Sequence, residues 1–101
     1  MILEVAQIDI QAGEASGFEQ AMNQALVLLT ASKGFRGAKL YRSHEVSDRY
    51  RLLVTWDNIE NHTIDWQKSA AFKTWRGLLQ CYFAGTPSVE HMNLVRALPE
   101  P

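Results

Sequence analysis

This chain of 101 residues predicts an α+β fold, a four-stranded antiparallel sheet with helices on one of its faces. Three observations carry that expectation. Apolar residues alternate in four short segments, they recur at helical spacing in the stretches between, and the two patterns follow one another as β-α-β-β-α-α-β. The length suits one compact domain, read as residues 1–98 with a loose end at 99–101, and is too short for two.

Residues 2–10 open the chain as a strand. Ile2, Ala6, Ile8 and Ile10 fall on one face and Leu3, Val5 and Gln7 on the other, so both faces carry apolar groups. Gln11-Ala12-Gly13 breaks the pattern. From Glu14 to about Ser32, Phe18, Ala21, Met22, Ala25, Leu26 and Leu29 recur at helical spacing, with Glu14 and Glu19 toward the end where the helix dipole favours negative charge. Lys33-Gly34 reads as the exit, a cation followed by a residue free to adopt positive φ.

Gly37 to His44 is the second strand and Arg49 to Trp56 the third, joined as a hairpin through Glu45-Val46-Ser47-Asp48. In the third strand Tyr50, Leu52, Val54 and Trp56 share a face, with Leu53 opposite. Asp57-Asn58-Ile59-Glu60 has the form of a capping box opening a short helix to about Lys68. Ser69 caps a third helix through Leu79, Ala84-Gly85-Thr86-Pro87 is a loop, and Ser88 to Leu98 is the last strand.

This order is that of a split βαβ, ferredoxin-like arrangement. Helices then cover one sheet face and leave the other open. An open face that carries apolar side chains calls for cover, and a second copy facing it across a two-fold axis supplies that cover. A homodimer is therefore expected.

Composition narrows the function. A formal net charge of −1 with scattered lysines and arginines offers no electrostatic footprint for nucleic acid or an anionic membrane. No apolar run spans a bilayer, and the acidic Glu4 near the start does not suit a secretory signal, so a cytoplasmic protein is expected. The single cysteine, Cys81, forms no intrachain disulfide and is expected to be buried and inert among apolar neighbours. His44, His62 and His91 show no ligand-like spacing, and no metal site is expected. Nucleophile elbows, phosphate loops and paired-carboxylate motifs are absent from the sequence.

The segment after the third strand is the candidate site. His62 and Trp66 lie one helical turn apart and project from the same face, and Arg76 on the next helix can bring a guanidinium to the mouth of the gap between helices and sheet. The simpler reading keeps Trp66 in the core, ties His62 to a carbonyl and leaves Arg76 solvated, and residue types alone favour it for His62. Gln7, a polar residue within an apolar strand, requires hydrogen-bond partners, met by a ligand, by water or by a neighbouring strand's side chain.

Taken together, Glu4-Val5-Ala6-Gln7-Ile8, Lys33-Gly34-Phe35-Arg36-Gly37 and Thr55-Trp56-Asp57-Asn58-Ile59-Glu60-Asn61-His62, followed by Trp66, Ser69 and Phe72, resemble the antibiotic biosynthesis monooxygenase family of the dimeric α+β barrel group. The resemblance covers almost the whole domain. It implies a homodimer with a pocket between each sheet and its helices. It also implies a monooxygenase that oxidises a small electron-rich aromatic (a phenol, hydroquinone or anthrone) with O₂ and without flavin, heme or metal.

On this resemblance His62, Trp66 and Arg76 are the catalytic candidates, and Gln7, Trp56 and Phe72 the substrate-binding ones. The family's heme-degrading branch places an Asn, a Trp and an axial His where this chain has Gln7, Trp66 and Arg76, and a guanidinium does not ligate ferric iron as an imidazole does. Its quinone-forming branch places an Asn and a Tyr where this chain has His62 and Phe72. A non-catalytic ligand-binding or stress-response protein of the same fold, and an isomerase acting on a small carbonyl compound, are the alternative readings.

Overall fold

Alternation along the first strand divides the sheet into two unlike faces. In the computed structural model, which describes residues 1–99, Glu4, Ala6 and Ile8 of β1 (Ile2–Asp9) are buried, whereas Leu3, Val5, Gln7 and Asp9 stay half-exposed. The chain continues through α1 (Ala15–Leu29), β2 (Phe35–Arg42), β3 (Arg49–Trp56), a π-helical turn over Asn61–Trp66, α2 (Ala70–Leu79), a 3₁₀ turn over Gln80–Tyr82 and β4 (Ser88–Met92).

The four strands pair antiparallel in the order β2-β3-β1-β4, the split βαβ arrangement expected. β1 and β3 form the centre, and their register runs from Ile2 opposite Trp56 to Asp9 opposite Arg49. Both strands therefore turn the same rows of side chains toward the helices. Ala6 and Ile8 join Tyr50, Leu52, Val54 and Trp56 beneath Phe18, Met22, Ala25 and Leu29 of α1 and Leu79 of α2. Phe18 packs on Tyr50 at a centroid distance of 4.8 Å.

The opposite face is uncovered. Leu3, Val5 and Leu53 lie there with Tyr41 and Met92, and the last two are 55% and 45% exposed. Gln7 belongs to this face as well. Beyond β4 the chain runs without regular structure and exposes Leu94, Val95 and Leu98. Among the described residues no helix is long and apolar enough to cross a membrane.

Several boundaries differ from expectation for identifiable reasons. β4 stops at Met92 rather than Leu98 because Met92 already pairs with Leu3, and β1 has almost no chain left to pair with. α1 stops at Leu29, where Thr30 turns its backbone N–H and its hydroxyl onto the carbonyl of Val27. Cys81 is exposed, not buried, because it sits in the 3₁₀ turn past α2, where the helical phase has been lost. Of the end expected to be loose, residues 100 and 101 lie outside the described residues.

Gly34 is needed where it stands. Its φ is +76°, and a Cβ added there would fall inside the carboxamide of Asn61. The turn that closes after α1 and the turn that opens after β3 thus meet at this point, and the Asp57 N–H donates to the Gly34 carbonyl at 2.8 Å. Gly34→Ala is expected to destabilise the protein by about 3 kcal/mol, from backbone strain plus overpacking against Asn61. Urea denaturation measures it, and a loss below about 0.5 kcal/mol, the range of an ordinary surface substitution, would contradict this account of the contact.

Candidate active site

The site is built from the chain that leaves β3. Trp56 ends the strand, and the Asp57 carboxylate is held by Arg36 through Nε at 2.6 Å and Nη2 at 3.2 Å. Asp57 is therefore not the expected helix cap. Asn58 takes that role: its Oδ1 accepts from the Asn61 N–H at 3.0 Å, and the Asn61 Oδ1 accepts from the Asn58 N–H at 3.2 Å. Asn61 also donates through Nδ2 to Asp65 at 3.0 Å, so its buried carboxamide is satisfied on both sides.

Where an α-helix was expected, the turn widens. The Gln67 N–H donates to the His62 carbonyl at 3.1 Å, an i→i+5 bond. That closure gathers Asn61, His62 and Trp66 onto a narrower arc than an α-helix allows, and each is only 3% exposed. Ser69 ends the segment and starts α2, as expected. Its hydroxyl donates to the Trp66 carbonyl at 2.6 Å and accepts from the Phe72 N–H at 3.1 Å, a cap of about 1 kcal/mol.

Between this segment, α2 and the buried sheet face lies a cavity of about 600 Å³. Ala6, Ile8, Leu52 and Val54 form its floor, and Trp66, Phe72 and Trp75 form an aromatic wall. The Trp66 ring meets Phe72 at 5.7 Å and Trp75 at 5.6 Å, both edge-on, a geometry that fixes the wall's shape. Arg76 lies on the same helix, exposed, with its guanidinium 6.0 Å from the Phe72 ring centroid. A volume of this size suits a small aromatic molecule.

The polar end of the cavity is a cluster of four side chains, of which Glu4, His62 and Trp56 are buried and His91 half-buried. Glu4 is 6% exposed; its Oε1 accepts from the Trp56 indole N–H at 3.0 Å and lies 3.3 Å from His62 Nε2. His62 Nδ1 is 2.8 Å from Nε2 of His91 on β4, and the imidazole stacks on Trp56 at a centroid distance of 5.7 Å. Burial disfavours charge on both members of the central pair. It pushes Glu4 up to about 7, against the smaller opposing effect of the Trp56 hydrogen bond. It pushes His62 down to about 4, with the nearby His91 charge acting in the same direction.

Of the residues expected from sequence, His62, Trp66, Phe72 and Arg76 line the cavity together. Trp56 stands behind the lining, wholly buried, and acts on the cavity through Glu4 and His62. Gln7 does not reach the cavity. One step along β1 from Ala6, it faces the uncovered side, where Arg51 donates to its Oε1 at 2.9 Å. Its partner is thus the side chain of a neighbouring strand.

Sequence reasoning missed Glu4 and His91. The signal for Glu4 was available: it shares the parity of Ile2, Ala6, Ile8 and Ile10, and a carboxylate in such a row is a buried polar group needing partners. His91 had no such signal, because its place depends on the β1–β4 register, which sets it opposite Glu4.

The pair has a pH signature. Folded Glu4 keeps its proton up to about 7 and the unfolded chain releases it near 4.5, so this group lowers stability as pH rises across that interval. Unfolded His62 takes up a proton below 6.5 and folded His62 only near 4, so it lowers stability as pH falls. The two slopes oppose each other where the intervals overlap. Denaturation of wild type should therefore show little contribution from the pair across the overlap, whereas the stability of Glu4→Gln should climb by roughly 2–3 kcal/mol over the same range. Parallel curves for the two proteins would contradict the assignment.

Comparison with known proteins gives a consistent family. The family model for antibiotic biosynthesis monooxygenase matches residues 1–78, a span that includes β1, the π-helical turn and most of α2. The uncharacterized protein YczJ of Bacillus subtilis is 33% identical over 93 residues, covering 92% of this chain and 98% of its own. A crystal structure of a Bordetella bronchiseptica protein assigned to the antibiotic biosynthesis monooxygenases superposes with a TM-score of 0.92 at 39% identity, covering 94% of this chain and 97% of that one. SnoaB, a cofactor-independent oxygenase from Streptomyces nogalater, shares the fold with a TM-score of 0.84 at 16% identity, over 98% of this chain and 97% of its own. The chain belongs to the antibiotic biosynthesis monooxygenase family.

Proposed function

We propose that the protein is a cofactor-independent monooxygenase acting on a small electron-rich aromatic such as a hydroquinone or anthrone. The observation that carries this reading is the cavity itself, an aromatic slot of about 600 Å³ with a buried acid–base pair at its end. Family membership supports the reaction class, and the fold shared with SnoaB, an oxygenase that needs no cofactor, supports the mode.

Trp66 and Phe72 hold the ring. The polar end around His62 removes the substrate's acidic proton, which leaves an anion electron-rich enough to reduce O₂. Arg76 stabilises that anion from the mouth. For an anthrone, one oxygen atom replaces the two hydrogens of the reacting methylene as a carbonyl and the other leaves as water, so the substrate supplies all four electrons. The apolar floor keeps water away from the intermediate.

The same reading includes a homodimer that covers the open sheet face. The exposed Tyr41 and Met92 on that face, and Leu94, Val95 and Leu98 beyond β4, supply the apolar surface it would bury. A dimer by light scattering at micromolar concentration is the expected result, and a monomer would contradict this part of the proposal.

The reaction is tested by O₂ uptake with a panel of hydroquinones and anthrones. Uptake should require folded protein, fall about 10²-fold in His62→Ala and fall less in Trp66→Phe, which keeps an aromatic wall. Saturable binding with no uptake above the uncatalysed rate would instead identify a ligand-binding protein.

A further inference from the structure

We infer that Glu4, not His62, is the group that accepts the substrate's proton, and that His62 and His91 carry this proton from the cavity to solvent. The inference rests on the reading of the cavity as an aromatic-binding site and assigns its proton acceptor. Three observations lead to it.

First, both ring nitrogens of His62 are already engaged, Nε2 with Glu4 Oε1 at 3.3 Å and Nδ1 with His91 Nε2 at 2.8 Å. An imidazole so held has no lone pair to offer a ligand. Second, both protein contacts of Glu4 fall on Oε1, from Trp56 and His62. Glu4 lines the cavity, and no wholly enclosed side-chain oxygen or nitrogen lacks a hydrogen-bond partner among the described residues, so Oε2 remains accessible there. It is the oxygen free to meet a ligand hydroxyl. Third, the chain of contacts leads outward. His62 is 4% exposed at its side chain, and His91, on edge strand β4, is only half-buried.

The proton path balances at each step. The ligand O–H bond breaks as Glu4 Oε2 gains a proton, Glu4 gives a proton from Oε1 to His62 Nε2, and His62 gives one from Nδ1 to His91 Nε2. His91 releases a proton to water, so no net charge stays on the relay, and the ligand keeps the electron pair as its anion. To this path β1 contributes Glu4, β4 contributes His91, α2 places Arg76 on the cavity, and β3 presents the non-titrating Trp56. Arg76 is the fixed positive charge that favours the anion left behind. His62 and His91 are relay groups, and Trp56 is a positioning residue that fixes the Glu4 carboxyl.

The test uses 4-nitrophenol, whose anion is yellow, as a bound probe, so it does not depend on turnover. At about pH 7, where Glu4 titrates, the yellow anion of the bound probe should form at least tenfold faster on wild type than on Glu4→Gln after rapid mixing. Equal rates of anion formation on both proteins would overturn Glu4 as acceptor, as would a wild type that does not bind the probe. Stopped-flow with a pH indicator reads the relay. Proton release on binding should slow at least tenfold in His91→Ala and recover with added imidazole, whereas an unchanged rate would overturn the exit through His91. The oxygenase reading fails separately, if wild type ionises the probe but consumes no O₂ with any hydroquinone or anthrone.

Discussion

A carboxyl group buried beneath a layer of helices is the constraint around which this molecule is arranged. Glu4 lies in a row of β1 otherwise filled by apolar residues, and an ionised carboxylate there is costly unless it is paired. The group instead keeps its proton up to about 7, and an indole N–H from β3 and an imidazole from the segment that follows meet its Oε1. Each partner needs its own support. Trp56 is fixed by the end of β3 and stacks on His62. His62 is brought inward by the π-helical turn, whose start is held by the reciprocal Asn58–Asn61 bonds and seated over Gly34. The extra residue in the turn thus has a physical role: it lets an amide, an imidazole and an indole all point inward from one short segment.

That arrangement also shapes the chemistry. A neutral acid beside a neutral imidazole can move a proton without stranding charge in an apolar cavity, and the aromatic wall of Trp66, Phe72 and Trp75 suits a flat ring. Nothing in this donor set favours the heme-degrading trio considered from sequence. Gln7 and Trp66 lie on opposite sides of the sheet, and Arg76 carries a guanidinium where an imidazole would be needed. The buried acid beside an imidazole fits the proton handling proposed for an organic substrate.

Much of this was legible in the sequence, and the rest was hidden for particular reasons. Period-two alternation located β1 and β3 almost to the residue, and the helical spacing of Phe18, Met22, Ala25 and Leu29 marked the buried stripe of α1. The Ser69 cap and the clustering of His62, Trp66, Phe72 and Arg76 were readable as local signals. Register and handover between elements were not. The length of β4 depends on how much of β1 remains to pair with it, and the position of His91 depends on the same register. The π turn depends on Asn61 packing against a glycine some distance back in the chain, which no local propensity encodes. Gln7 and Glu4 show this on a single strand: Gln7, the polar residue expected at the site, lies on the half-exposed face, whereas Glu4 lies on the buried face and lines the cavity.

The protonation of Glu4 is the measurement on which the account turns most directly. With ¹³C-labelled glutamate, the side-chain carboxyl resonance of Glu4, assigned by its loss in Glu4→Gln, can be followed through a pH titration of the folded protein. A midpoint near 7, moved by His62→Ala, is the predicted result. A midpoint near the ordinary 4.5, unchanged in that variant, would contradict the buried acid–base pair at the centre of the site.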